Sequence, residues 1–110
     1  MAERDILYAI RLTLGADPRV VLWRNPIGFY KEQGRAIRYG VGGAGGSDLI
    51  GILRPSGRWF ALEVKTETGV ASTEQAMFLD LIRRAGGWGS IVRSVAEAKA
   101  SLEAALRGES

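Results

Sequence analysis

Two of the three lysines in this sequence close the same tripeptide, an acid, one residue, then the amine: Glu63-Val64-Lys65 and Glu97-Ala98-Lys99. What such a pair can do depends on the backbone that carries it. On a strand, the period of two puts both side chains on one face, where a carboxylate and an amine can share one substrate. On a helix, two residues are about 200° apart around the axis, and the charges point away from each other. The run Trp59 to Lys65 is aromatic, aliphatic and strand-like, whereas residues around Glu97 follow a helical apolar period. Glu63 and Lys65 are therefore candidates for joint chemistry, and Glu97 and Lys99 for solvated surface charges.

A second acid is brought in by the preceding strand. Asp48 to Leu53 reads as a strand, Pro55-Ser56-Gly57 as a turn, and the two strands as a β-hairpin. Symmetric pairing about that turn sets Leu53 opposite Arg58 and Asp48 opposite Glu63. Like charges placed opposite each other in a sheet destabilise it unless a cation compensates. Lys65 alone could do so, as a salt bridge to one acid. A divalent cation is the other solution: two carboxylate oxygens, a backbone carbonyl such as that of Val64, and waters form the oxygen-rich shell that Mg²⁺ accepts. Such a cation acidifies a bound water and polarises a phosphoryl group. Lys65 would then orient or deprotonate that water, or balance charge on the phosphorus.

Gly40-Val41-Gly42-Gly43-Ala44-Gly45 matches a dinucleotide-binding GxGxxG, but that motif requires a helix N-terminus after the glycines, and here a strand follows. The glycines are expected instead as a loop or a close backbone approach. Just before them, Lys31, Arg35 and Arg38 are interleaved with Phe29, Tyr30 and Tyr39, a composition suited to phosphate and base contacts. For the aromatics, core packing is the first expectation and stacking on an exposed base the alternative.

These groups need a scaffold. Leu7, Ile10 and Leu14 mark a first helix from Glu3 to Leu14, with Gly15 as its cap and Glu3 on the same inward stripe. Val20 to Trp23 reads as a strand ended by Asn25-Pro26-Ile27-Gly28. Ser72 and Gln75 have capping-box spacing and open a helix with Phe78, Leu81, Ile82 and Ala85 on its apolar face and Gly86-Gly87 as its stop. Trp88 to Arg93 is a last strand. Ser94 and Glu97 repeat the box before a helix marked by Val95, Ala98, Leu102 and Ala105. The order describes one mixed sheet flanked by helices, with residues 69–87 as the crossover a parallel neighbour of the Glu63 strand would need.

Composition narrows the chemistry further. The 110 residues include no Cys and no His, which removes thiol nucleophiles, Ser-His-Asp triads and His-based metal or proton chemistry, and leaves carboxylates and Lys. Twelve Arg and three Lys against 12 acids give a net charge of +3, a lean toward an anionic partner. No apolar run is long enough for a membrane helix, and the polar start is unlike a signal peptide; a soluble, intracellular, cytoplasmic protein of one domain over residues 1–110 is expected.

Gly46-Ser47-Asp48-Leu49, Glu63-Val64-Lys65, Gly69, Gln75 and Gly86-Gly87, with Trp23-Arg24-Asn25 and the glycine loop, resemble the PD-(D/E)XK nuclease superfamily. Within it they are similar to the small stand-alone, phage-type VRR-NUC nucleases. Ser47 departs from the Pro of the superfamily name, at a position that supplies no ligand. The resemblance implies an α/β, restriction-endonuclease-like core with a central mixed β-sheet flanked by helices, Mg²⁺ or Mn²⁺ as cofactor, and phosphodiester hydrolysis. It assigns Asp48, Glu63 and the Val64 carbonyl to the metal, Lys65 to catalysis, Gln75 to support at the helix start, and Glu3 to an acid from the first helix. Capping alone for Gln75, and a solvated helix-end acid for Glu3, are the competing structural roles. Arg24, Lys31, Arg35 and Arg38 are the candidate DNA-phosphate contacts. The expected substrate is branched DNA such as a four-way junction, and two symmetric cuts from a single-site domain imply a homodimer. A nuclease without junction preference, and a catalytically silent nucleic-acid-binding module of the same fold, are the alternatives.

Overall fold

The computed structural model describes all residues, Met1–Ser110. Three helices, α1 (Glu3–Gly15), α2 (Thr73–Arg84) and α3 (Val95–Leu106), accompany six strands: β1 (Val20–Arg24), β2 (Gly28–Glu32), β3 (Arg35–Tyr39), β4 (Leu49–Leu53), β5 (Trp59–Val64) and β6 (Trp88–Val92). Four of the strands form the central sheet in the order β1-β4-β5-β6. The β1–β4 and β4–β5 pairs are antiparallel, and β6 runs parallel to β5, reached through α2 as the 69–87 crossover predicts.

The hairpin register is the predicted one. Leu49 pairs with Leu62 and Ile50 with Ala61, and the Leu53 N–H donates to the Arg58 carbonyl at 2.9 Å, so continuing the ladder sets Asp48 against Glu63. Strand β5 is buried from Phe60 to Val64, which requires cover on both faces. On one side Phe60, Leu62 and Val64 pack with Ile6, Leu7, Ile10 and Leu14 of α1 and Ala98, Leu102 and Ala105 of α3. On the other, Ala61 packs with Phe78 and Leu79 of α2. Glu63 lies on this second side, because it alternates with Leu62 and Val64.

Several local expectations need correction. Gly15 belongs to α1, and Ala16, in right-handed geometry, is its cap. Of the apolar face expected for α2, Phe78 is buried but Leu81 is 57% exposed, and Leu79 takes an inward place instead. Ile82 is half-buried against the same cluster as expected, and Ala85, at the end of the helix, is exposed. In α3, Ser94 Oγ accepts from the Glu97 N–H at 3.1 Å, but the Glu97 carboxylate accepts from the Arg93 N–H, so the reciprocal box is not closed.

Residues 28–39 form a second, two-stranded sheet that the apolar pattern does not reveal. Its turn is Gln33-Gly34, both at positive φ, the geometry of a tight hairpin turn. Phe29, Tyr30 and Tyr39 are 58%, 52% and 48% exposed, so the core packing expected of them is not their role.

The glycine run is both loop and close approach. It contains a short 3-10 turn, Gly43–Gly45, and a Cβ on Gly42 would collide with Phe78, and one on Gly45 with the Glu74 carbonyl of α2. Buried Asn25 ties it down, donating to the Val41 and Ser47 carbonyls at 2.8 and 3.0 Å and accepting from the Val41 N–H at 2.9 Å. No helix follows the glycines, as expected, and no helix is long and apolar enough to cross a membrane.

Candidate active site

The edge of the sheet where β5 ends and β4 begins gathers the chemistry. Ser47, 1% exposed, donates its hydroxyl to the Leu49 carbonyl at 2.9 Å and fixes the turn into β4. Asn25 donates its backbone N–H to the Asp48 carbonyl at 2.8 Å, which extends the β1 ladder by one residue. With its backbone held so, Asp48 turns its carboxylate toward β5, and Oδ2 accepts the Val64 N–H at 2.8 Å. A side chain thus stands in for the strand that would otherwise pair there, and it brings the Val64 peptide against the Asp48 carboxylate.

Glu63 is 1% exposed, a costly place for a carboxylate unless it is paired and hydrogen-bonded. Oε2 has two partners: Gln75 Nε2 at 2.9 Å and Lys65 Nζ at 3.4 Å. Oε1 is buried and has none. Burial, then the charge of Asp48, push the Glu63 pKa up to about 7, while Lys65 pulls it down. Lys65 is thus the one amine within ion-pairing distance of Glu63, and while both acids are ionised the buried Oε1 has no donor.

Gln75 closes a cap and also reaches Glu63. Its Oε1 accepts from the Ser72 N–H at 2.9 Å while Ser72 Oγ accepts from the Gln75 N–H at 3.1 Å, a closed capping box. Its Nε2 remains for Glu63. Lys65 lies beyond the last strand residue, yet its N–H still donates to the Val92 carbonyl at 3.0 Å, so its backbone is as fixed as the strand. Downstream, Arg93 donates to the carbonyls of Thr66 and Gly69, both at 2.7 Å, and holds the loop that leads from Lys65 to Gln75. No sequence pattern marked Arg93, and Asn25 stood out only as a turn residue and within the resemblance; both act on backbone groups, which carry no sequence signature.

By spacing Glu3 lies in line with the buried Leu7 and Ile10, yet it is exposed: the first buried residues of α1 are Ile6 and Leu7, a turn further along, so at Glu3 the helix has run past the core. No third acid joins Asp48 and Glu63 in a metal-binding group. The expected phosphate contacts are divided as well. Residues directly opposed in a sheet share a face, so Arg24, opposite Leu49, lies on the α1 and α3 side and not the side of Glu63. In the hairpin, Phe29 faces Arg38 and Lys31 faces Ala36 on one side, while Arg35 faces Glu32 on the other. All four basic residues are exposed.

Among solved structures, one described as a VRR-NUC domain superposes on the chain with a TM-score of 0.62, at 20% identity, over 92% of this chain and 94% of the other. The chain has the VRR-NUC fold. The α/β core expected from the resemblance, a central mixed sheet flanked by helices, is thereby found in three dimensions. No family model and no curated protein matches the chain. Within the VRR-NUC fold, the acid pair lies at the end of the β4–β5 hairpin, and α2 presents its capped N-terminus to it.

The residues present suit a divalent cation. Glu63 Oε1 is a buried carboxylate oxygen without a partner, and Asp48 keeps its second oxygen outside the Val64 hydrogen bond. Hard oxygen donors of this kind, with no His or Cys available, favour Mg²⁺ or Mn²⁺ over Zn²⁺.

Proposed function

We propose that this chain is a Mg²⁺- or Mn²⁺-dependent endonuclease that hydrolyses phosphodiester bonds in branched DNA, four-way junctions included, as a homodimer. The observation that carries the reading is the buried, unpartnered Oε1 of Glu63 beside Asp48, with Lys65 on the other oxygen of the same carboxylate. Asp48, Glu63 and the Val64 carbonyl would hold the cation. When bound, it supplies an acidified water and a polarised phosphoryl oxygen.

The chain's own residues supply the rest. Gln75 fixes the rotamer of Glu63 through the Oε2 hydrogen bond, so the free oxygen keeps its direction. Lys65, 3.4 Å from Glu63 Oε2, would orient or deprotonate the attacking water or balance charge on the phosphorus. Lys31 and Arg38, on one face of the exposed hairpin with Phe29, hold the substrate backbone, and Phe29 offers a surface for an unpaired base. A junction is resolved by two symmetric cuts, and one chain carries one acid pair, so the active unit is a two-fold dimer.

The test is cleavage of end-labelled four-way junction, splayed, duplex and single-stranded DNA with Mg²⁺ or Mn²⁺, beside Glu63→Gln and Lys65→Met. Symmetric junction cuts that both variants lose, by a protein of dimer mass in solution, are the expected result. Equal cutting of all four substrates removes the junction preference, and no cutting by folded protein with either metal overturns the enzyme.

A further inference from the structure

The α1 side of the same sheet edge carries a second basic feature, separate from the acid pair and from the hairpin. A cleft of about 280 Å³ is lined by Arg4, Asp5, Leu7, Tyr8, Arg11 and Arg24. Arg4, Tyr8 and Arg11 recur at helical spacing on one face of α1, and Arg24 ends β1 beside them. None of the three guanidinium groups has a carboxylate within ion-pairing distance, Asp5 included, although Arg19, Arg84 and Arg107 are all paired to acids. Tyr8 is 63% exposed at the same place. Three unpaired planar forks around a cleft with one acid form a local excess of positive charge suited to phosphate oxygens.

We infer that this cleft is a second nucleic-acid site, which binds the phosphodiester backbone of a part of the substrate that is not cut. The inference rests on the nuclease reading and goes beyond it, because Arg4, Tyr8 and Arg11 take no part in the hydrolytic site. The relationship between the two sites comes from the sheet. Arg24 pairs with Leu49, the neighbour of Asp48, so the cleft and the acid pair share an edge, but alternation puts them on opposite faces. One backbone segment cannot lie in both faces at once. The cleft therefore receives another segment, and substrates that present two backbones at the sheet edge bind better than a lone strand.

The experiment is fluorescence anisotropy on labelled four-way junction and single-stranded DNA across a salt series in EDTA, so that binding is read without cleavage. Arg4→Ala/Arg11→Ala is compared with wild type, with Lys31→Ala/Arg38→Ala, and with Lys99→Ala as a control for one lost surface charge. Arg4, Arg11 and Lys99 are exposed and make no side-chain hydrogen bond, and circular dichroism verifies each fold. The expected result is a loss of junction affinity of roughly ten-fold or more for Arg4→Ala/Arg11→Ala, with the salt slope reduced by about two. Single-stranded DNA loses less, and Lys99→Ala changes neither. Arg11→Lys, which keeps the charge without the fork, recovers part of the slope.

Wild-type binding that weakens with the hairpin variant but not with the α1 variant overturns the cleft and leaves the nuclease reading intact. An equal effect from Lys99→Ala, charge for charge, overturns it as well. A wild-type protein that binds neither DNA removes both.

Discussion

Gln75 Nε2 donates to Glu63 Oε2 at 2.9 Å, and the other end of the same amide closes the capping box of α2 with Ser72. One side chain therefore couples the position of the crossover helix to the orientation of a buried acid at the end of β5. Any displacement of the helix start is felt by the carboxylate.

That coupling separates two substitutions. Gln75→Ala removes the cap contact and the hydrogen bond to Glu63, and a loss of about 1–3 kcal/mol is expected in urea unfolding. Gln75→Glu keeps an acceptor for the Ser72 N–H but sets a carboxylate against Glu63. Its stability is expected to fall below that of wild type at pH 8 and to recover toward it at pH 5. Equal deficits at both pH values would argue against the contact.

The raised pKa of Glu63 fixes a sign for the pH dependence of the metal-free protein. The folded chain keeps the proton to about pH 7, whereas the unfolded chain releases it near the ordinary value of 4.5. Between those limits the folded state binds more protons, so stability falls as pH rises, by up to about 3 kcal/mol in all. Asp17 and Glu103 act in the opposite sense, since hydrogen bonds from Arg19 lower their pKa values, and their contribution is lost only in more acidic solution. Urea midpoints from pH 5 to 8 check this, and Glu63→Gln is expected to flatten the slope.

A cation at Asp48 and Glu63 would stabilise the fold by mass action. At a free Mg²⁺ or Mn²⁺ concentration one hundred times Kd, the gain is about 2.7 kcal/mol. Thermal melts are expected to show a rise in Tm for wild type, no rise for Glu63→Gln or Asp48→Asn, and a rise retained in Lys65→Met. A Tm unmoved by either metal in wild type would contradict the site.

Asn25 bridges β1 and the glycine loop through three hydrogen bonds. Asn25→Ala is expected to cost about 1–3 kcal/mol, since the buried Ser47 carbonyl loses its donor and the part-buried Val41 peptide both of its bonds to Asn25. Asn25→Asp, which cannot donate to Val41 and Ser47, should cost at least as much at pH 8. Chemical denaturation measures both, and hydrogen exchange at residues 41–47 should accelerate in each.

How far the sequence reaches is uneven for physical reasons. The pairing of Asp48 with Glu63 could be read because a tight turn and strict alternation leave little freedom in register, and both capping residues of α2 lie within four positions of each other. The place of Gln75 against Glu63 needed the fold, since it depends on how a crossover helix settles on the sheet. The exposure of Glu3 could not be read, because helical spacing gives a direction around the axis but not where the neighbouring sheet ends. The hairpin of residues 28–39 escaped because both of its faces meet solvent, so burial imposes no apolar alternation on it. Alternation along it divides Lys31 and Arg38 from Arg35, which spacing in a run of unknown structure could not show.

That hairpin shares no ladder with the four-stranded sheet, and it enters and leaves through Asn25 to Gly28 on one side and the glycine loop on the other. Insertions or exchanges between residues 29 and 38 would therefore leave the β4–β5 register untouched. The molecule divides into a part whose geometry is tied to the acid pair and a part whose length and composition can change without disturbing it.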